Sequence, residues 1–355
     1  MGEQRQTVNN STLAASLTRR RLLQGALAGA LPWGLPACSG PDEDPNTLVV
    51  GGLPVTCNLT LPVACVAREV GNGALPAGAP RYAFQYSKYN GWPEIKESLM
   101  AGRVSAAYML APLVMDLADK RIPVKIVSLG HRSGAVIMVR TESPYQSLSQ
   151  LAGKRIAIPS RFAVDLLFLR KMLARENLSV DAIELVEMPP PDMPAALYAD
   201  AVDAYCTGEP FGAAAEKAGY ARPLYMTRDE WPKYICCVLT VREELIESKP
   251  ERVQDLVNTV LGAGVWLDES AANRDRAAGI AARREFFNQD PEIIRYVMEN
   301  PADRVTYGDL RMIRDEFEEL MELSLQAGTI NHPIAYETYV DERFARNARA
   351  AAVPL

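Results

Sequence analysis

From residue 47 onward, apolar positions cluster into short strand-like runs separated by stretches with helical spacing. Leu48-Val49-Val50-Gly51-Gly52-Leu53 reads as a buried strand, followed by a turn at Pro54 and a helix over 59–69. Residues 82–86 alternate like a strand, and 93–101 read as a helix with Pro93 and Glu94 in its first turn. Residues 104–110 and 124–129 are strand-like, with a helix over 112–120 between them. The βαβαβαβ rhythm of 47–130 predicts a mainly parallel sheet with helices on its faces. The rhythm then restarts with strands over 135–140 and 155–158, a helix over 162–175 and a strand over 183–188. A proline-rich turn at 189–192, a short helix over 193–198, strands over 202–205 and 235–241, and a helix over 243–248 follow. Beyond them the pattern is helical, with long amphipathic segments at 250–268, 271–287 and 309–326.

These elements make two α/β units and a helical C-terminal region. Strands 135–140 and 235–241 are expected to cross between the lobes, so that 47–140 and 238–355 form one lobe and 141–237 an inserted second. A hinge-joined pair of this kind binds its ligand in the cleft at the carboxyl ends of the strands. Upstream, Thr18-Arg19-Arg20-Arg21-Leu22-Leu23 forms a twin-arginine pattern, followed by an apolar run to Ala37 broken by Gly25, Gly29 and Pro32. That run falls short of the ~20 residues a spanning helix needs, so residues 1–37 read as an export signal. Leu35-Pro36-Ala37-Cys38 resembles a lipobox. Two readings stand: Cys38 is lipidated and becomes the mature N-terminus, or a plain signal is cut near Ala37. Residues 38–46 read as a polar, proline-containing tether.

Composition narrows the chemistry. The 355 residues carry a net charge of −6, with 48% hydrophobic and 23% charged residues, as a globular protein does. Loss of residues 1–37 removes four arginines and one acid, leaving 34 bases, 43 acids and a charge of −9. The acidic balance argues against a nucleic-acid partner. Two histidines, His131 and His332, exclude a multi-histidine metal site and weaken any Ser-His-Asp or Cys-His arrangement. No cofactor, metal site or catalytic group is expected. Cys57, Cys65, Cys206, Cys236 and Cys237 remain after Cys38. Cys57 and Cys65 sit eight apart in an expected helix, about 12 Å at its rise, too far for a disulfide. Cys236 and Cys237 lie in a strand-like run and are expected to point to opposite faces. With no C-x-x-C spacing, the five read as buried free thiols acting as small hydrophobes.

Three stretches carry a family resemblance: Gly91-Trp92-Pro93-Glu94-Ile95-Lys96-Glu97-Ser98-Leu99-Met100-Ala101-Gly102 with Val104 to Pro112, Leu151-Ala152-Gly153-Lys154-Arg155-Ile156-Ala157, and Val202 to Phe211. In this order, behind a lipoprotein-type signal, they resemble the periplasmic solute-binding proteins of the nitrate/sulfonate/bicarbonate transporter group, which includes thiamine-precursor binders. The resemblance runs over roughly 47–330. It implies an α/β, two-lobed fold of the periplasmic-binding-protein type II kind, with two interlobe crossover strands and a helical C-terminal region. It also implies a clamp that hands a small solute to the permease and ATPase subunits of an ABC transporter.

Candidate ligand-binding residues follow. Trp92 precedes a helix where nitrate binders carry a pocket tryptophan; a core tryptophan is the alternative. Thr56 and Asn58 follow the first strand, where open N–H groups and hydroxyls meet an anion or cap a helix. His131 and Arg132 stand beside a glycine turn at the expected cleft, as anion ligands or as loop surface charge. Ser160 and Arg161 precede a helix of the second lobe, another favourable anion position. Glu209 lies in a Gly-Glu-Pro-aromatic turn matching the nitrate-type members and suits bracing a basic residue across the cleft. Lys233 and Tyr234 compete for the register where those members carry a lysine. Asp165 stands where nitrate binders have a histidine, and Ser133 or Ala135 where they have a glutamine; His332, before Pro333, reads as surface.

The function expected is an extracytoplasmic solute-binding lipoprotein, exported by the twin-arginine route and membrane-anchored through lipid at the periplasmic or outer cell surface. It would capture a nitrate-, sulfonate- or bicarbonate-type anion. The alternatives are a binder of a thiamine- or riboflavin-type heterocyclic precursor, a sensory ligand-binding protein, and, less favoured, an enzyme on the same fold.

Overall fold

A computed structural model describes residues 46–79, 81–232 and 234–355. The export signal, Cys38, nearly all of the expected tether and Lys233 lie outside them. Twelve strands occur among the described residues: β1 Thr47–Gly52, β2 Ala83–Lys88, β3 Ala106–Leu110, β4 Val124–Leu129, β5 Arg132–Ser133, β6 Ala135–Arg140, β7 Arg155–Ile158, β8 Glu184–Glu187, β9 Ala204–Gly208, β10 Ala221–Met226, β11 Cys237–Arg242 and β12 Val305–Thr306.

Ten of them form two five-stranded sheets, ordered β2-β1-β3-β11-β4 and β8-β7-β9-β6-β10. In the first, β1 runs parallel to β2 and β3, and β11 lies antiparallel between β3 and β4. The second repeats the pattern: β7 runs parallel to β8 and β9, and β6 lies antiparallel between β9 and β10. β3 and β9 are buried at every residue, as strands covered on both faces must be.

The strand membership corrects one expectation. Residues 135–140, expected in the first lobe, pair wholly within the second sheet, from Ala135 opposite Gly208 to Val139 opposite Ala204. The chain therefore leaves the first sheet after Leu129. Ser133 (φ 60°) and Gly134 (φ 90°) turn it through left-handed backbone. A Cβ on Gly134 would meet Val305 Cγ2 at 2.8 Å, so the close pairing of β5 with β12 also demands glycine. The second crossing returns through 227–236 into β11.

Among the elements that the sequence pattern does not predict are β10, the short strands β5 and β12, and the helices Phe211–Lys217 and Pro291–Glu299. Pro223 interrupts the apolar run of β10, which is tolerated because β10 is an edge strand with a register shift there. The helix expected over 271–287 ends at Ala281, and that over 309–326 begins at Arg314. Helix Pro250–Glu269 packs on helix Thr60–Gly73 through Arg68, which bonds Asp255 and, at 2.9 Å, Thr259. Helix Arg314–Gln326 reaches the second sheet's helix Val164–Arg175 through Lys171 to Glu319 (2.9 Å) and Arg170 to the Gln326 carbonyl (3.0 Å). Among the described residues, no helix is long and apolar enough to cross a membrane.

Candidate functional site

The carboxyl ends of β1 and β9 meet. Past β1, the Thr56 N–H and hydroxyl donate to the Glu209 carbonyl at 2.8 and 3.0 Å, and Glu209 follows β9 directly. The Tyr307 hydroxyl closes the same point by donating to the Thr56 carbonyl at 2.8 Å. Gly208 permits the approach: a Cβ there would lie 3.1 Å from Cys57 Sγ. The segments that follow β1 and β9 are thus in direct hydrogen-bonded contact, forming a seam between the two sheets.

Buried groups with unmatched polar atoms border this seam. Asp165, in the first turn of helix Val164–Arg175, leaves Oδ1 without a partner, as do the hydroxyls of Thr207 in β9 and Tyr234 just before β11. Burial, then the neighbouring Cys236, pushes the Asp165 carboxyl well above the usual carboxylate range. Burial likewise raises Tyr234, whose ring packs edge-on against Phe168 and Trp231 at 6.4 and 5.5 Å. Cys206 Sγ donates to the Asp165 carbonyl at 3.3 Å.

Cys57, His131, Cys236 and Cys237 gather here as well, all buried, with their ligating atoms within 4.8 Å of one another. Hydrogen bonds from the Cys236 and Cys237 thiols hold the Cys57 thiol down at about 6, against its own burial. The opposite-face expectation for Cys236 and Cys237 is corrected: their sulfurs are 3.7 Å apart. Strand geometry begins only at Cys237, so period-two alternation does not apply to the pair. Cys57 lies in a 3-10 turn, Thr56–Asn58, ahead of the helix that holds Cys65.

The other candidates are placed as follows. Asn58 is buried and its Oδ1 accepts from the Leu53 N–H at 2.8 Å, bracing the turn, with Nδ2 unpartnered. Trp92 is buried at the start of helix Trp92–Met100, its indole N–H unpartnered. Arg132 is engaged away from the gathering, on Glu316 (2.9 Å) and the carbonyls of Asp309 and Arg311 (both 2.8 Å). Arg161 has its side chain 69% exposed and paired with Glu187, and the Ser160 hydroxyl accepts from the Phe162 N–H at 3.2 Å. Glu209 is fully buried, and its Oε1 accepts from Arg304 Nε at 2.6 Å. Burial pushes this carboxyl up and Arg304 draws it only partly back. Arg304 also bonds Glu216 at 2.8 Å, so one guanidinium serves two carboxyl groups. His332 is exposed and faces Asp119 at 3.1 Å.

The sequence reading passed over Thr207 and the thiols as site residues because they come from segments 57, 131, 207 and 236–237 with no common spacing. The signal available was the doublet Cys236-Cys237 together with the scarcity of histidine. A surface hollow of about 600 Å³ between helices Val164–Arg175 and Arg314–Gln326 is lined by none of the seam residues.

The sequence pattern of the NMT1-like family matches residues 43–282. The nitrate/nitrite binding protein NrtA of Nostoc sp. is 26% identical over 248 residues, 63% of this chain and 55% of NrtA, so the chain spans about half the length of that curated relative. The ligand-binding component of an ABC-type import system from Staphylococcus aureus, solved with zinc bound, superposes with a TM-score of 0.75 at 26% identity, covering 86% of this chain and 99% of its own. The periplasmic nitrate-binding protein NrtA of Synechocystis shares the fold, with a TM-score of 0.74 at 16% identity over 85% of this chain and 87% of its own.

Proposed function

The chain belongs to the NMT1-like family, and on that premise we propose that it is the solute-capturing component of an ATP-driven importer, exported and held at the membrane by lipid on Cys38. It closes its two lobes on a small oxyanion and presents it to a permease. The observation that carries the reading is the hydrogen-bonded seam at Thr56 and Glu209, bordered by the unmatched polar atoms of Asp165, Thr207 and Tyr234. Buried groups of this kind cost free energy unless a partner restores their hydrogen bonds, and a solute between the lobes is such a partner. The two hydroxyls are donors, and the Asp165 carboxyl, its proton favoured by burial, donates in its protonated form. They suit a monoanion whose charge is spread over several oxygens, the class named in the nitrate-binding relatives. Closure then follows from contacts made by both lobes at once, and its extent is bounded by the solute's preference for the closed form.

Thermal unfolding of the purified protein with nitrate, bicarbonate and an alkanesulfonate tests this. One of them should raise the midpoint, by the equivalent of about 2.7 kcal/mol at a hundred times its Kd. No shift with any of them, in protein shown to be folded, would overturn the oxyanion reading.

A further inference from the structure

Oxyanion capture leaves unused the four side chains that stand closest together in the seam. Cys57, His131, Cys236 and Cys237 are each no more than 3% exposed, and the potential ligating atoms lie within 4.8 Å of one another. The sulfurs of Cys236 and Cys237 are 3.7 Å apart. That is far from a disulfide bond of about 2.05 Å. It matches the roughly 3.8 Å edge of a tetrahedron with metal–sulfur bonds of about 2.3 Å. His131 Nδ1 is buried without a partner, and its Nε2 is 3.5 Å from the Cys237 N–H, a contact too long to hold the ring firmly. Space is kept open beside Cys57 Sγ by Gly208, where a Cβ would come to 3.1 Å.

We infer that Cys57, His131, Cys236 and Cys237 form a four-coordinate site for a thiophilic metal ion, zinc(II) or copper(I). Three thiols and one imidazole are the donor set such ions select over magnesium or calcium. On binding, the thiol protons leave to solvent as metal–sulfur bonds form. The ligands come from the turn after β1 and from both crossings, so a bound ion ties the two crossings to the first sheet. The site does not depend on the oxyanion reading. A zinc ion with three thiolates and a neutral imidazole carries a net charge of −1, so metal and oxyanion should weaken each other's binding.

The test adds cobalt(II), as a spectroscopic stand-in for zinc, to reduced, metal-stripped purified protein. One equivalent should give sulfur-to-cobalt charge-transfer absorption and the intense visible bands of tetrahedral cobalt, and zinc should bleach both. Competition against a chromophoric chelator should show Cys236→Ser and His131→Ala each weakening zinc at least 100-fold, while Cys65→Ser leaves it unchanged; circular dichroism checks each variant's fold. Absent charge-transfer bands in the wild-type protein, or full retention of them in Cys236→Ser, would overturn the site. Because the wild-type spectrum is decisive alone, a variant that fails to fold does not rescue it. A cobalt spectrum without any oxyanion shift overturns only the oxyanion reading, and the converse overturns only the metal site.

Discussion

Arg161 and Asp165 flank the start of one helix, and burial sends them to opposite uses. Arg161 lies in solvent on Glu187, a pairing that contributes little where water screens it. Arg161→Ala should leave solute affinity within about twofold by calorimetry, contrary to what a basic residue at a helix start invites. Asp165→Asn and Tyr234→Phe should each weaken the solute roughly tenfold, about 1.4 kcal/mol; wild-type affinity in both would remove these residues from the site. Glu176 offers a separate check on the second lobe. Its partial burial works to raise its pKa, but it accepts from the Tyr225 hydroxyl (2.6 Å) and from the N–H groups of Leu148 (3.0 Å) and Ser149 (2.6 Å), which together hold it below the usual range. A lowered carboxylate stabilises above its unfolded pKa and loses that contribution as pH falls through the folded value. Glu176→Gln should therefore cost about 1 kcal/mol at pH 7, and urea titrations should show the gap to wild type shrinking towards pH 3.

The crossings are the elements on which the architecture turns. β6 enters the second sheet from the first, β11 enters the first from the second, and each lies antiparallel beside the third parallel strand of its sheet. Gly134 is the pivot of the outgoing crossing, combining positive φ with a 2.8 Å limit against Val305. Gly134→Ala adds backbone strain and displaces β12, for an expected loss of about 1–3 kcal/mol in chemical unfolding. An unchanged midpoint would show that β5 and β12 are not held as described.

Across the molecule, the C-terminal region binds both lobes. Arg304 joins it to Glu209 and Glu216, with Arg304 and Glu209 almost wholly buried. Glu209 is also the residue whose carbonyl receives Thr56, so the ion pair supports the seam itself. Arg304→Ala leaves an uncompensated buried carboxylate and should cost about 3–5 kcal/mol; a loss below 1 kcal/mol by calorimetric unfolding would refute that role. The charge of −6 is set by the surface as a whole, and a captured anion must be held against it by short-range donors.

Periodicity along the chain was sufficient for most strands and for the two-lobed α/β plan, because burial on both faces writes local apolar runs that do not depend on distant partners. It could not say which sheet β6 joins, since the run reads alike in either, nor find β10 past Pro223. The strand pattern pointed to the turns at Thr56 and His131, and the family resemblance to that at Glu209, but neither told what their side chains touch. Whether Arg132 meets a solute or Glu316, and whether cysteines at 57, 236 and 237 stay apart or gather on His131, depends on contacts between residues tens to hundreds of positions apart. Those contacts exist only once the chain has folded and brought these distant segments together.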